Sequence, residues 1–172
     1  MRICAVTGSR ADWGLLRPVL ERLRNTAGRP TLIATGGHLN DRFDNTASQI
    51  EADGFTIDHR VPLTLDADDC LAVAGAMAEA LTGIAAVLER DRPDLLLILG
   101  DRYEIFAAAQ AALITRVPIA HIAGGDISEG AYDDAIRHAI SKLAHLHFTT
   151  NAHAAQRVIQ LGEPAERVFN TG

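Results

Sequence analysis

A short stretch between residues 121 and 148 carries the side chains best suited to chemistry. It reads His121-Ile-Ala-Gly-Gly-Asp126 and, a few residues later, Asp133-Asp134 at the start of a segment that runs to Phe148. Three carboxylates, a Gly-Gly turn and several cationic or titratable side chains therefore fall within one strand, loop and helix. Such an acidic cluster indicates proton transfer on a sugar or another polyol, whereas packing alone would not require it.

The hydropathy pattern predicts the scaffold that positions these residues. Short apolar, β-branched runs alternate with longer segments whose apolar residues recur every three or four positions. The run at 95–99 is apolar on both faces, which is typical of a central parallel strand covered by helices on each side. We therefore predict an α/β fold with a doubly wound, Rossmann-like parallel sheet. Predicted strands lie at 3–6, 31–34, 55–61, 95–99, 118–122 and 147–149, and helices at 15–24, 44–52, 69–89, 103–114, 133–144 and 151–161.

Four predicted strand ends are polar or rich in glycine. Folds of this class bind ligands outside the carboxyl ends of their strands, so these four segments should form one convergent rim. Arg10 follows the first strand, and Asp101 with Arg102 follows the buried strand at 95–99. An Asp-Arg pair at that point could serve both proton transfer and phosphate binding, although Asp101 could instead cap the next helix. The four segments are 7–14, 35–38, 100–104 and 121–126.

Structural roles compete with functional ones at several of these positions. A histidine that ends a buried strand, as His121 does, is more often a hydrogen-bonded core residue than a catalyst. Gly124-Gly125 indicates a turn with positive φ or a close approach of backbone to ligand. Asp126 could act as a base or make an Asx turn. Asp133-Asp134 also fits the start of an ordinary helix, where carboxylates favour the positive end of the dipole and face Arg137 and His138 one turn later.

Composition limits the class of protein. With 172 residues, 48% of them apolar, the chain can bury one substantial core. The net charge of -6 argues against nucleic acid or anionic lipid as partners. The first residues lack a signal peptide, and we expect no run near the ~20 apolar residues of a membrane span, so the sequence predicts a cytoplasmic protein. Cys4 and Cys70 are predicted to be buried thiols, and the histidine spacing predicts no metal site.

Taken in order, four segments resemble the hydrolysing UDP-N-acetylglucosamine 2-epimerases of sialic acid biosynthesis and their bacterial relatives. The likeness covers nearly the whole chain and is specific as a series. It implies one half of a glycosyltransferase-B type fold, in which two Rossmann-like domains enclose the active site. Residues 1–166 would be the N-terminal domain, and 167–172 would begin the crossover to a missing C-terminal domain. The four segments are Thr7-Gly-Ser-Arg-Ala-Asp-Trp-Gly-Leu-Leu16, Gly100-Asp-Arg-Tyr-Glu104, His121-Ile-Ala-Gly-Gly-Asp126 and the stretch from Asp133 to Phe148.

The resemblance also implies a reaction. Family enzymes eliminate UDP with loss of the C2 proton, pass through a 2-acetamidoglucal, and add water to release N-acetylmannosamine and UDP. The implied partner is a UDP-sugar, no metal or redox cofactor is needed, and the full-length protein is expected to be a homo-oligomer. Because the second domain supplies most nucleotide contacts, we expect the isolated chain to be inactive or nearly so. A non-catalytic UDP-sugar-binding or regulatory domain and a non-hydrolysing epimerase remain as alternatives.

Residue roles follow from the resemblance position by position. Arg10 and Arg102 would contact the diphosphate. His121, Gly124 and Gly125 would also contact the substrate. Proton transfer and sugar contacts would come from the four aspartates Asp101, Asp126, Asp133 and Asp134. Ala123 departs from the family pattern, because relatives often carry there a glutamate that is a favoured catalytic candidate.

Overall fold

A computed structural model describes residues 1–130 and 132–172 of the chain. In it, seven parallel strands form one sheet in the order β3-β2-β1-β4-β5-β6-β7. The strand order reverses between β1 and β4, which is the switch point of a doubly wound fold. The predicted parallel α/β architecture is therefore confirmed. The strands are β1 (Ile3–Thr7), β2 (Thr31–Thr35), β3 (His59–Val61), β4 (Leu95–Leu99), β5 (Ile119–Ile122), β6 (Leu146–Thr149) and β7 (Val168–Asn170).

Six helices connect the strands. Three of them begin at residues whose side chains cap the first turn: Ser9 before α1, Asp69 before α3 and Asn151 before α6 each accept a backbone N–H. Such caps satisfy donors that the helix itself leaves unpaired. The helices are α1 (Arg10–Thr26), α2 (Ala47–Ala52), α3 (Cys70–Asp91), α4 (Tyr103–Thr115), α5 (Asp133–Leu143) and α6 (Ala152–Gln160).

The core lies on both faces of the sheet, and β4 shows this most directly. Leu96 and Ile98 join the cluster formed with α3, α4 and α5, whereas Leu97 and Leu99 join the cluster formed with α1 and β2. Successive side chains of a strand point to opposite faces, so only a strand covered on both sides reads as an unbroken apolar run. The interpretation of residues 95–99 as the central strand is confirmed.

Two elements are shorter than the sequence predicts by three residues or more. The helix expected from residue 44 begins only at Ala47, because Asp44 and Asn45 have left-handed φ values of 64° and 41° and cannot continue a right-handed helix. The strand expected at 55–61 is limited to His59–Val61. It follows the turn at Gly54, whose φ is 80°.

Helix α3 corrects two expectations. An 18-residue window of it has mean hydropathy 1.9, so by length and composition alone it could span a membrane, contrary to the prediction that no such run exists. In this fold α3 packs against α4 and supplies Ala80, Ile84 and Leu88 to the core. Cys70, its first residue, is exposed rather than buried, because it stands at the solvent-facing start of the helix; Cys4 is buried as predicted.

The chain end contributes the last strand of the sheet. β7 pairs with β6, with Phe148 opposite Phe169. The two rings are stacked with their centroids 5.6 Å apart. The division between domains at residue 166 stays a prediction.

Shortening a buried side chain of the central strand should destabilise the core. Ile98 is completely buried, so Ile98→Ala is expected to lower the free energy of unfolding by about 2–5 kcal/mol through lost burial and an unfilled cavity. Ile114→Ala is the matched control, since Ile114 is 69% exposed and its loss should change stability by less than about 0.5 kcal/mol. Urea denaturation of both variants checks this; equal losses would contradict the assignment of β4 as the central buried strand.

Candidate functional site

The carboxyl ends of β1, β2, β4 and β5 meet along one rim, as their parallel register requires. The loop after β4 divides this rim in two. Asp101 turns toward the loop after β5 and helix α5, where it meets Arg137. Arg102 turns toward α1 and the first turn of α4, where it meets Asp12 and Glu104. Two consecutive residues therefore serve two clusters of different charge.

The first cluster, which we call the arginine pocket, is a cavity of about 420 Å³ lined by Arg10, Arg42 and Arg102 together with Ser9 and Tyr103. Arg10 is exposed on the first residue of α1, where the positive end of the helix dipole also favours an anion. The structure thus brings the two predicted diphosphate contacts into one cavity. Arg42 was not predicted, because it follows no strand of the sheet directly.

Two carboxylates hold Arg102 from below. Its Nε donates to Glu104 Oε1 at 2.5 Å and lies 3.9 Å from Asp12 Oδ2. Glu104 is completely buried. Burial raises the pKa of Asp12 to about 6, against the lowering effects of its hydrogen bond with Ser9 and the charge of Arg102. Sequence reasoning named neither carboxylate as functional, although Asp12 lies in the segment 7–14 and Glu104 in the segment 100–104.

His38 anchors the wall of the arginine pocket. Its ring nitrogens lie 2.9 Å from Thr7 Oγ1 and 2.7 Å from Thr46 Oγ1, which ties the end of β1 to the start of α2. The ring is completely buried, and desolvation lowers its pKa to about 4. His38 is therefore neutral near pH 7 and contributes geometry to the pocket, with no positive charge.

The second cluster, the Asp101 cluster, centres on an ion pair that joins Asp101 to the buried guanidinium of Arg137. Ser128 Oγ donates to Asp101 at 3.0 Å and accepts from Arg137 at 2.6 Å. The sequence pattern placed Arg137 opposite Asp133 on the surface of α5. Its guanidinium instead bonds Asp101 and, at 2.7 Å, the carbonyl of Ala123. Tertiary contacts thus override the local i, i+4 pattern.

The other predicted aspartates lie around this cluster at different distances from its centre. Asp134 lies 3.5 Å from the backbone nitrogen of Ser128 and 3.4 Å from His138, as the i, i+4 spacing predicted. Asp126 accepts from Thr150 at 2.6 Å, so it sits beside the end of β6. Asp126 and Arg137 both line an open cavity of about 530 Å³ that reaches the start of α6. A Cβ on Gly130 would meet the carboxylate of Asp133, so Asp133 packs closely against Gly130.

His121 lies behind the rim surface and is completely buried. Its Nε2 donates to the carbonyl of Gly100 at 2.8 Å, and its Nδ1 lies 3.3 Å from Ser141 Oγ. Burial lowers its pKa to about 4, so the ring is neutral with the proton on Nε2. This geometry matches the core alternative raised from the sequence. The predicted contact of His121 with substrate stays a prediction.

The Gly124-Gly125 turn is required by close packing. A Cβ on Gly124 would lie 2.9 Å from Ser141 Oγ, and one on Gly125 would lie 2.9 Å from the carbonyl carbon of Ala154 and closer still to its oxygen. Gly125 also has a φ of 79°, and Ala123 just before the turn has a φ of 63°. Close packing of Gly124 against Ser141 of α5 and of Gly125 against α6 explains these glycines without a ligand; their predicted contact with substrate is untested.

Within the part of the chain that the structure describes, no group of three or more histidine, cysteine or acidic side chains is placed to hold a metal ion. The charged groups of the rim instead pair cations with carboxylates. An exposed arginine pocket suits a phosphate group, and an oriented carboxylate next to it suits proton transfer.

Comparison with known proteins is consistent with this arrangement. The family model described as UDP-N-acetylglucosamine 2-epimerase matches residues 21–172. The chain is 40% identical over 172 residues to the GDP/UDP-N,N'-diacetylbacillosamine 2-epimerase (hydrolyzing) of Campylobacter jejuni, covering 99% of the chain and 44% of the relative. It is 41% identical to the UDP-N,N'-diacetylbacillosamine 2-epimerase (hydrolyzing) of Legionella pneumophila, covering 45% of that protein. The chain thus spans less than half the length of these curated relatives.

Solved structures show the same fold. The crystal structure of UDP-GlcNAc 2-epimerase from Neisseria meningitidis bound to UDP-GlcNAc superposes with a TM-score of 0.87 at 21% identity, over 100% of the chain and 46% of that protein. The Staphylococcus aureus MnaA-UDP structure gives a TM-score of 0.84 at 24% identity, over 99% and 44%. At these identities the superpositions support the fold, one half of a glycosyltransferase-B type enzyme.

A methyl group at position 125 should destabilise the loop that carries the Asp101 cluster. Gly125→Ala is expected to lower the free energy of unfolding by about 2–4 kcal/mol, because φ is positive and the Cβ meets the backbone of Ala154. In the control Gly14→Ala the Cβ meets nothing within 4 Å, and an alanine inside α1 should raise stability by about 0.5–1 kcal/mol. Thermal denaturation of both variants measures these changes. A Gly125→Ala variant as stable as the wild type would contradict the described conformation of the loop.

A buried histidine that stays neutral in the folded state should make the free energy of unfolding depend on pH. His121 has a folded pKa of about 4 against 6.5 when unfolded, so between these values the unfolded chain binds one proton more and the free energy of unfolding falls as pH falls. The slope is about 1.4 kcal/mol per pH unit. Asp12, whose folded pKa is about 6, contributes a slope of opposite sign up to about pH 6. The contribution of His121 is therefore the difference in slope between the wild type and the His121 variant. His121→Gln should reduce the slope between pH 6 and 4.5 by up to that amount in urea titrations; an unchanged slope would refute the buried neutral state.

Proposed function

Because the chain belongs to the UDP-N-acetylglucosamine 2-epimerase family, we propose that it forms the N-terminal half of a hydrolysing UDP-sugar 2-epimerase. The observation that carries the proposal is the division of the rim at β4. One residue step separates an arginine pocket suited to a diphosphate from an aspartate cluster suited to proton transfer. A reaction that expels a diphosphate while it removes a proton from the adjacent sugar needs both groups within one substrate length.

The proposed reaction has two stages. A carboxylate removes the proton from C2 as the C1–O bond breaks, which releases UDP and leaves a 2-acetamidoglucal. Water then adds at C1, and C2 receives a proton on the opposite face, which gives the free sugar of inverted configuration at C2. For UDP-N-acetylglucosamine that product is N-acetylmannosamine. No electron or hydride leaves the substrate, so the proposed chemistry needs only acid-base groups and a stabilised leaving group.

We assign the leaving group to the arginine pocket. Arg10 stands at the positive end of α1, and Arg102 presents a guanidinium that can pair with two phosphate oxygens at once. Charge accumulates on the β-phosphate as the C1–O bond breaks. Cationic donors fixed at that place stabilise the transition state more than the bound substrate, which is the condition for catalysis.

We assign removal of the C2 proton to Asp101. Its carboxylate is held by Arg137 and Ser128, so its orientation is fixed on the rim, and it directly precedes Arg102 of the arginine pocket in the sequence. We assign the second proton transfer to Asp134, which contacts the same loop through the backbone nitrogen of Ser128. Position 123 has no carboxylate in this chain, so the acid-base work falls to these aspartates.

The described substrates of related proteins indicate which sugar nucleotides to test. The Campylobacter jejuni and Legionella pneumophila proteins are described as acting on diacetylbacillosamine substrates, and the Neisseria meningitidis relative at 33% identity is described as a UDP-N-acetylglucosamine 2-epimerase. We therefore propose a UDP-2-acetamido sugar as the substrate class, with both compounds as test substrates. The homo-oligomeric state, the cytoplasmic location and the absence of membrane or nucleic-acid partners stay predictions.

The decisive experiment follows solvent deuterium into C2 together with the release of UDP. The full-length protein, given UDP-N-acetylglucosamine or UDP-N,N'-diacetylbacillosamine in D₂O, should release UDP and a free sugar labelled at C2. The 172-residue chain alone should give neither signal, because it spans less than half the length of its relatives. Asp101→Asn in the full-length protein should lower kcat/KM by a factor of about 10²–10⁴, the range for a lost general base.

The control is Asp94→Asn, a change of the same kind at an exposed aspartate just before β4, at the opposite edge of the sheet from the rim, which should leave the rate unchanged. If the product is an isomerised UDP-sugar and no free sugar appears, the reaction is a non-hydrolysing epimerisation. Saturable UDP binding without exchange at C2 in the full-length protein would favour the binding or regulatory alternative. Full activity of Asp101→Asn would refute the assignment of the base.

A further inference from the structure

Glu104 is a buried carboxylate that the proposed reaction does not use directly. It lies in the first turn of α4 and is completely buried. One oxygen accepts from Arg102 Nε at 2.5 Å, and among the described residues Oε2 has no hydrogen-bond partner. A buried carboxylate is costly unless it is paired, so the contact with Arg102 is the interaction that retains it there.

The ends of β1 and β2 are shaped around this carboxylate. A Cβ on Gly8 would lie 2.8 Å from Glu104 Cγ and closer still to Oε1, and the three heavy atoms nearest to it all belong to Glu104. A Cβ on Gly36 would lie 3.0 Å from the same Oε1. Gly8 is not among the residues with positive φ, so the space that Glu104 occupies explains this glycine better than backbone conformation does.

Arg102 is anchored only at its inner nitrogen. Its Nε is bound by Glu104, while in the part of the chain that the structure describes its two terminal nitrogens donate no hydrogen bond. The side chain is 43% exposed and lines the same cavity as Arg10. The outer edge of the guanidinium therefore faces the arginine pocket with its donors available to a ligand.

From these three observations we propose that Glu104 is a positioning residue, which holds Arg102 so that its terminal nitrogens point at the diphosphate of a UDP-sugar, and that Gly8 is required because it leaves room for Glu104. The proposal rests on the proposed function for the identity of the ligand. A guanidinium fixed in advance loses less side-chain entropy when it binds an anion than one that must be ordered by the ligand. Asp12 supports the same guanidinium from α1 at 3.9 Å.

The test measures UDP binding by calorimetry in the full-length protein, so the readout does not depend on turnover. Glu104→Ala and Gly8→Ala should each raise the Kd for UDP by about ten- to a hundredfold, the range for a lost hydrogen bond to a charged group. The double variant should be no weaker than Glu104→Ala alone, because the methyl group at position 8 would then displace nothing. Glu104→Gln keeps an oxygen that can accept from Arg102 and should recover most of the affinity.

Gly14→Ala is the control glycine, since a Cβ there meets nothing within 4 Å, and it should leave Kd unchanged. A purely structural role for Glu104 would lower the melting temperature and the fraction of active protein while the Kd of the remaining protein stayed constant; that result would overturn the proposal. Additive losses in the double variant would overturn the link to Gly8.

The same measurements separate this proposal from the proposed function. UDP binding that follows the expected pattern without any exchange at C2 would support the positioning role and refute the epimerase reaction. Normal exchange at C2 in the wild type, with an unchanged Kd for UDP in Glu104→Ala, would support the epimerase reaction and refute the positioning role. A full-length protein that binds no UDP at all would overturn both, because the arginine pocket would then not be a diphosphate site.

Discussion

Burial of β4 on both faces is the constraint on which the rest of the structure depends. Because Leu96 and Ile98 face one helical layer and Leu97 and Leu99 the other, the strand can lie only in the middle of the sheet. The chain leaves that position through Gly100, whose φ of 82° redirects the backbone at the switch point. Asp101 and Arg102 are the first side chains beyond it, and they are delivered to opposite sides of the rim by the same backbone turn.

The rim is costly for a protein to build, and its hydrogen bonds show how that cost is offset. Arg137 is buried, but two of its nitrogens reach Asp101 and the carbonyl of Ala123. His121 remains neutral and donates to Gly100. These two buried side chains thus each fix a backbone turn, and Arg137 also fixes the carboxylate of Asp101. The candidate site is accordingly preorganised by groups that lie below its surface.

The sequence predicts the frame of this site better than its supports. Apolar periodicity located β4 and the helices around it, and the rule for strand ends located Asp101 and Arg102. The partner of Asp101 was missed because it comes from a distant segment: Arg137 is 36 residues away, and local spacing paired it with Asp133 instead. Glu104 was missed for another reason. A glutamate in the first turn of a helix is an ordinary feature, and only its packing against Gly8 reveals that it is buried beneath a strand end.

Ala123 shows why a carboxylate can be absent from this loop without loss of the loop's form. The backbone nitrogen of Ala123 donates to Phe148 at 2.9 Å, and its carbonyl accepts from Arg137 at 2.7 Å. Both main-chain groups are therefore bonded, and the side chain takes no part in either contact. Under the proposed reaction, proton transfer then falls to the aspartates that Arg137 and Ser128 already orient.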